Sequence, residues 1–335
     1  MYLTLRLLPK IFFMSAFFFM SQVAQSQELD FSVYPLSTEL QIGKLQKFLI
    51  DAPKGICLTV GGDRGFKIGS MMPNITELWL IDISKDILKF NQINRELLKT
   101  PTRSNYLKLR WEADFTTWHN HNKNLSQQDF DWWQKNVRAL DKLDFALPEY
   151  LNKFGKSPEC AKQNNNNKKP TKFDKLNLGD IVDYKQGNYL FSDKLYTSVH
   201  QLALNNKIYT AKIDLNDKAQ IQQLTEKLKQ KNLTIGLLDL NNLYLSNYMG
   251  EENYISLVKQ LQPYGQSDAI LITMSNYKNL ACAKFQFYLG FTFGQVRQWP
   301  DDFKMQYFID SIPEEIVDLM DGKLYTEADK LPLFR

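Results

Sequence analysis

The run Ile56-Cys-Leu-Thr-Val60, stopped by Gly61 and Gly62, constrains the fold of this chain more than any other stretch. Five apolar or β-branched residues ended by a tight turn describe a strand buried on both faces, as in a parallel sheet. Arg64 to Met72 follows as a short helix, and Pro73-Asn74 breaks it. Leu78 to Ile81 then forms a second buried strand with Asp82 at its C-terminal end. The pattern predicts a βαβ unit with glycines after the first strand and an acid after the second. Such glycines let a ligand approach the backbone, and such a carboxylate accepts hydrogen bonds from two ribose hydroxyls. Gly61-Gly62-Asp63-Arg64-Gly65 is neither G-x-G-x-x-G nor a P-loop, and a glycine turn serves any α/β protein. Asp82 is what points to a nucleoside, because an acid ending a buried strand needs hydrogen-bonding partners.

The alternation continues in both directions. Leu40 to Ile50 has helical spacing before Pro53. Ser84 caps an amphipathic helix whose apolar face includes Ile87, Leu88, Phe90, Ile93 and Leu97, and Pro101 stops it. The pattern then lapses. Asn105 to Thr117 has no clear type, Gln127 to Lys142 is helical, and a short helix is expected after Pro148. The Asn run and Lys clusters of 157–175 bury almost nothing and read as a disordered linker. Asp180 to Ser192 reads as a loop, with Ser192 capping a helix from Asp193 to Leu204. Strand Lys207 to Ile213 ends in Asp214 and is followed by helix Lys218 to Gln230. Strand Thr234 to Leu238 ends in Asp239, Asn241 and Asn242, and helix Glu251 to Leu261 comes next. Asp268 to Met274 is a fifth strand. Lys284 to Gln295 and Lys304 to Asp310 alternate, which predicts an antiparallel strand pair closing the sheet. The fold class is therefore α/β, a doubly wound and mostly parallel sheet. It carries a C-terminal antiparallel pair and a largely helical insertion after the second strand–helix unit.

The N-terminus predicts a targeting signal. Arg6 and Lys10 precede an apolar core from Ile11 to Met20, and Ala24-Gln-Ser26 is a small-x-small cleavage site. The expected division is a signal peptide over 1–26, the first part of the α/β domain over 27–99, the insertion over 100–204, and the second part over 205–335. The mature protein would be exported, periplasmic or secreted, with no stable membrane insertion. Loss of Arg6 and Lys10 takes the formal charge from +4 to +2, which gives no global case for nucleic acid. Three cysteines make no disulfide framework. Cys57 and Cys282 read as small buried hydrophobes, with one bridge left open in an exported protein. Trp118-His-Asn-His121 reads as a polar loop rather than a metal site, since His200 is the only other histidine and no metal is expected. Trp111, Trp118, Trp132 and Trp133 read as helix-packing residues.

Over 37–99 and 205–310 the order of elements resembles the class I S-adenosylmethionine-dependent methyltransferase fold. More narrowly, VGGDRGF, the IDIS helix start and the NYLFSD segment resemble a group of exported bacterial methyltransferase-like proteins with no established reaction. The resemblance implies S-adenosylmethionine as cofactor. Gly61, Gly62 and Asp63 would hold its methionine part, and Asp82, with Ile83 beside it, the ribose. Asp214 and Leu215 would face the adenine, and Asn241 would line the strand-four end. Asp239, Asn242 and Tyr244 would face the methyl group and a small-molecule or protein substrate. Two departures stand out: the strand-one turn lacks the preceding acid and a close third glycine, and Asn241-Asn-Leu-Tyr244 has no prolines. Export also sits awkwardly with this cofactor. The protein would act after delivery into another cell, or bind a different ligand, or be an inactive binding and interaction module on the same scaffold.

Overall fold

Strands that are apolar on both sides demand helices on both faces. The computed structural model describes residues 36–37, 42–139, 178–245, 248–276, 286–305 and 308, all within one unit spanning 35–335. The first half contributes β1 (Gly55–Val60), α1 (Asp63–Met71), β2 (Ile75–Asp82) and α2 (Lys85–Leu97). Five further helices follow: α3 (Arg103–Trp111), α4 (Phe115–His121), α5 (Gln127–Trp133), α6 (Leu178–Gln186) and α7 (Asp193–Leu204). The second half adds β3 (Ile208–Lys212), α8 (Lys218–Gln230), β4 (Ile235–Asn241), α9 (Glu251–Leu261), β5 (Gly265–Asn276) and β6 (Gln286–Thr292).

The six strands lie in the order β3-β2-β1-β4-β5-β6, parallel except for β6, which runs antiparallel to β5. Side chains alternate across this sheet. Ile56, Leu58, Trp79, Ile81 and Leu238 join one core with Ile221, Leu224 and Leu228 of α8 and Tyr254, Leu257 and Val258 of α9. On the other face α1 sits directly on Thr59, Leu78 and Leu80. A Cβ on Gly65 would come within 2.4 Å of Leu80 Cδ2, so only glycine allows that approach. The sheet is doubly wound, and the strand order reverses between β1 and β4. At such a reversal the connections leave in opposite directions, which opens a crevice beyond the C-terminal strand edges.

Several helix boundaries follow the local chemistry anticipated from sequence. Ser84 Oγ accepts from Ile87 N at 3.4 Å, and Ser192 Oγ accepts from Leu195 N at 3.3 Å. Other expectations are corrected. The untyped stretch 105–117 holds α3 and the start of α4, capped by Thr102 and Asp114. The segment read as a loop from Asp180 is helical to Gln186. The antiparallel partner of β6 is β5 and not Lys304–Asp310, where Met305 and Phe308 are helical and Phe308 N donates to Lys304 O at 2.9 Å. The physical reason is local: Phe308 closes an aromatic cluster with Phe291, Trp299 and Phe303, which a strand alongside β6 would pull apart. His119 and His121 lie in α4 rather than a loop, and among the described residues no cluster of ligating side chains suits a metal ion. Trp118 and Trp133 are fully buried, with Trp133 stacked on Phe90 at 5.4 Å. Cys57 is a buried free thiol. The expectations for the signal segment, Cys160, Cys282, the helix after Pro148 and the linker 157–175 lie outside the described residues. No helix among the described residues is long and apolar enough to cross a membrane.

Candidate functional site

The crevice is built from the ends of β1, β2 and β4. Val60 ends β1, and Gly61 turns the chain with φ +104°, a conformation that L side chains rarely adopt. A Cβ at Gly61 would meet nothing within 4 Å, so the space over it is open. Gly61 N donates to Ile81 O at 3.2 Å, tying the turn to the end of β2. Gly62 is buried at the N-cap of α1.

Asp82 closes β2 half-buried, and its Oδ1 accepts from Ser84 N at 2.8 Å. Burial pushes its pKa above the ordinary value, partly offset by hydrogen bonds from the Ser84 and Ile83 backbone. Among the described residues no cation pairs with it. Ile83, the next residue, is 57% exposed and presents an apolar side chain beside the carboxylate. Asp214 lies past the end of β3, where its Oδ1 accepts from Asn216 N at 2.9 Å, and Leu215 is buried. The cap of α8 is Asp217, which accepts from Ala219 N and Gln220 N. Asp214 therefore does not cap that helix.

At β4 the expected residues separate. Asn241 ends the strand at φ +51°, just past a shift in register between Asp239 and Asn241. Its Oδ1 is buried and receives no hydrogen bond. Asn242 is half-buried with its carboxamide unengaged among the described residues, whereas Tyr244 is buried edge-on against Tyr254 at 6.0 Å. Asp239 lies below the edge and is fully buried. Arg64 Nε donates to its Oδ2 at 2.8 Å and Arg64 Nη2 to its Oδ1 at 3.0 Å, while Thr59 Oγ1 donates to Oδ2 at 2.9 Å. The carboxylate expected to face the methyl group and substrate is bound bidentately to a guanidinium.

Asp63, expected beside a cofactor, is turned into the helical layer. Tyr189 donates to its Oδ1 at 2.8 Å, and Lys67 Nζ pairs with its Oδ2 at 2.9 Å. Burial opposes its ionisation, but the charges of Lys67 and Arg110 and the bonds from Lys67 and Tyr189 hold its pKa below the usual carboxylate range. Arg110 in turn donates to Tyr106 and Tyr189, and Tyr106 donates to Asn94 at 2.7 Å. The sequence pattern did not reveal Arg64, Lys67 or Asn91 as members of this region. Asn91 had a signal: it stands at a core-facing position of α2, between Ile87 and Leu88 below and Asn94 above, where a polar residue must answer to something. Its Nδ2 donates to Gly61 O at 3.1 Å.

The fold and the strand order define a doubly wound α/β protein whose connections reverse between β1 and β4. A family model matches residues 34–288, and the chain belongs to that family, described as Domain of unknown function (DUF7790). No curated protein matches the chain. Among solved structures it is similar to the rRNA methyltransferase aviRa from Streptomyces viridochromogenes, determined at 2.4 Å. The identity is 10%, the likeness covers 74% of this chain and 77% of that one, and the TM-score is 0.32. The fold class stands on the strand order itself.

Proposed function

We infer that the protein binds an adenine nucleoside of the S-adenosylmethionine type across the tips of β1, β2 and β4. The observation that carries this reading is Asp82. A half-buried carboxylate with no cation beside it among the described residues, held only by the Ser84 and Ile83 backbone, has room for further donors, and a ribose diol supplies them. The open space over Gly61 admits a ligand against the backbone, Ile83 offers an apolar flank for a base, and Asn241 ends the neighbouring strand β4. Asp63 enters as a brace for the turn rather than as a contact, because both its oxygens are engaged inside the protein.

The bound nucleoside would supply an activated methyl group. Catalysis of its transfer would then depend on holding an acceptor in line, which is a matter of position and electrostatics. Asn242, half-buried just past β4, would hydrogen-bond that acceptor. Asp239 acts through Arg64, fixing the start of α1 and with it the glycine turn. The acceptor is an unidentified small molecule or protein, met after export if the N-terminal signal operates. The engagement of Asp239 also favours a second reading, a nucleoside-binding module with no methyl transfer, since the strand-four carboxylate has no free oxygen.

Calorimetric titration of S-adenosylmethionine and S-adenosylhomocysteine onto the protein and its Asp82→Ala variant tests the binding. Micromolar binding reduced at least tenfold by the substitution is expected. No binding of either nucleoside, or binding indifferent to Asp82, sinks the proposal. Methyl transfer to a candidate acceptor that survives Asn242→Ala would remove the role given to that side chain.

A further inference from the structure

Three polar contacts run along one face of α2. At its N-cap, Ser84 N donates to Asp82 Oδ1 at 2.8 Å. Further along, Asn91 Nδ2 donates to Gly61 O at 3.1 Å. One turn beyond that, Asn94 Nδ2 donates to Tyr189 Oη at 3.2 Å, and Tyr189 donates in turn to Asp63 Oδ1 at 2.8 Å. Ser84 and Asn91 are about two helical turns apart, so they share a face with a fixed rise of about 10 Å between them. The residues reached in this way are Asp82, Gly61 and Asp63, which are the strand-two acid and two positions of the glycine turn.

Gly61 is held on both sides of its own backbone. Its N–H donates to Ile81 O at the end of β2, and its carbonyl accepts from α2. A glycine at φ +104° has no Cβ to confine it, and a turn that has to be frozen by its ligand weakens binding. Asn91 is fully buried, and the one hydrogen bond it makes among the described residues leaves its own helix. Its oxygen has no donor among the described residues, so the amide serves the protein through its nitrogen alone.

We propose that Asn91 is a positioning residue: through the carbonyl of Gly61 it holds the glycine turn at a fixed distance from Asp82, so that a nucleoside meets a turn already in place. This rests on the nucleoside reading above and adds to it the residue that keeps its two anchors in step. A purely structural asparagine would support the fold without altering what the folded protein binds. The two roles part at the Gly61 amide and in the affinity of the folded protein.

Asn91→Leu keeps nearly the same buried shape, removes the donor and takes away an oxygen that has no donor, so the fold should stand. Backbone hydrogen exchange of the ligand-free variant should show the Gly61 N–H exchanging about tenfold faster than in the wild type. The N–H groups of Ile56 and Leu78, bonded to Thr234 O and Lys207 O within the sheet, should exchange as before. By calorimetry S-adenosylhomocysteine should bind the folded variant about tenfold more weakly, which is the order of what freezing one backbone residue costs. Asn91→Ala is the second variant, for use where leucine does not fit. An unchanged exchange rate at Gly61 in whichever variant folds overturns the inference. Unchanged affinity with Asp82 still required also overturns it and leaves the nucleoside site standing. If neither variant folds, Asn91 belongs to the fold itself and the inference fails as well. A wild-type protein that binds no S-adenosylhomocysteine, with Gly61 exchange still faster in the variant, removes the nucleoside reading and keeps Asn91 as the holder of the turn.

Discussion

Two groups of polar residues flank the sheet, and they are built on opposite terms. In the helical layer Asp63, Lys67, Asn94, Tyr106, Arg110 and Tyr189 are all fully buried and joined to one another by hydrogen bonds or an ion pair. At the strand edge Asp82 is half-buried, and among the described residues it has no cation and Asn91 and Asn241 keep oxygens with no donor. The first group is closed: each member answers another, and Tyr106, pushed up to about 12 by burial, remains a neutral donor. The second group is open, and its costs are met only from outside the chain. A protein tolerates a few unpaired buried groups where function requires them, so the proposed site is drawn on the open set and its support on the closed one.

The largest expected effect comes from opening the closed set. Lys67→Met removes the cation from a buried carboxylate and should cost about 3–5 kcal/mol in chemical denaturation. The pH dependence is specific. Asp63 has a folded-state pKa below its unfolded value, so its contribution is present above roughly pH 4 and is lost as pH falls through the lower folded value. Lys67→Met should therefore erase the steepest part of acid unfolding along with the stability. If its denaturation midpoint at pH 7 stayed within 1 kcal/mol of the wild type, the network would not be the brace described here.

Next in size is Asp239→Asn, which breaks the bidentate pair with Arg64 and leaves a buried guanidinium short of its counter-ion. A loss of about 2–4 kcal/mol is expected, with nucleoside affinity falling only as far as the turn loosens. The alternative, a catalytic carboxylate, predicts the reverse: little change in stability and abolished turnover. Measuring both on one preparation separates the brace from the base.

How far sequence carries the fold can be judged on these same residues. The glycine turn, Asp82 and the two serine caps were legible because each is decided within a few residues, by φ, by a strand end or by a cap hydrogen bond. The closed network was not, because Tyr189 reaches Asp63 from 126 positions away and no local period encodes that. The strand-four acid shows the limit most clearly. Asp239 fits the pattern of a residue parked at a strand end, but Thr59 and Arg64 close over it from β1 and α1, and only their register in space says so. Likewise Lys304 to Asp310 alternates like a strand, yet Met305 and Phe308 are helical and Phe308 packs against Phe291 and Phe303.

The smallest effect discriminates best between the two regions, because it has the opposite sign. Asp82 has a folded-state pKa raised by burial, so the protonated form favours the fold, and that advantage disappears as pH rises through the folded value. At pH 7 the charged group is a modest burden. Asp82→Asn, neutral at every pH, should therefore melt no lower than the wild type at pH 7 and slightly higher if anything. The difference should close below about pH 4, where the wild-type carboxyl is protonated as well. The same substitution should weaken nucleoside binding at pH 7, since an amide is a poorer acceptor for two ribose hydroxyls than a carboxylate. For the wild-type protein, affinity should fall as pH is lowered through the raised folded-state pKa, and so at pH values above those where an ordinary aspartate titrates. A stabilised fold with a weakened ligand is the signature of a residue kept for its partner. An Asp82→Asn protein that lost stability at pH 7 would instead place Asp82 with Asp63, among the groups that the fold itself requires.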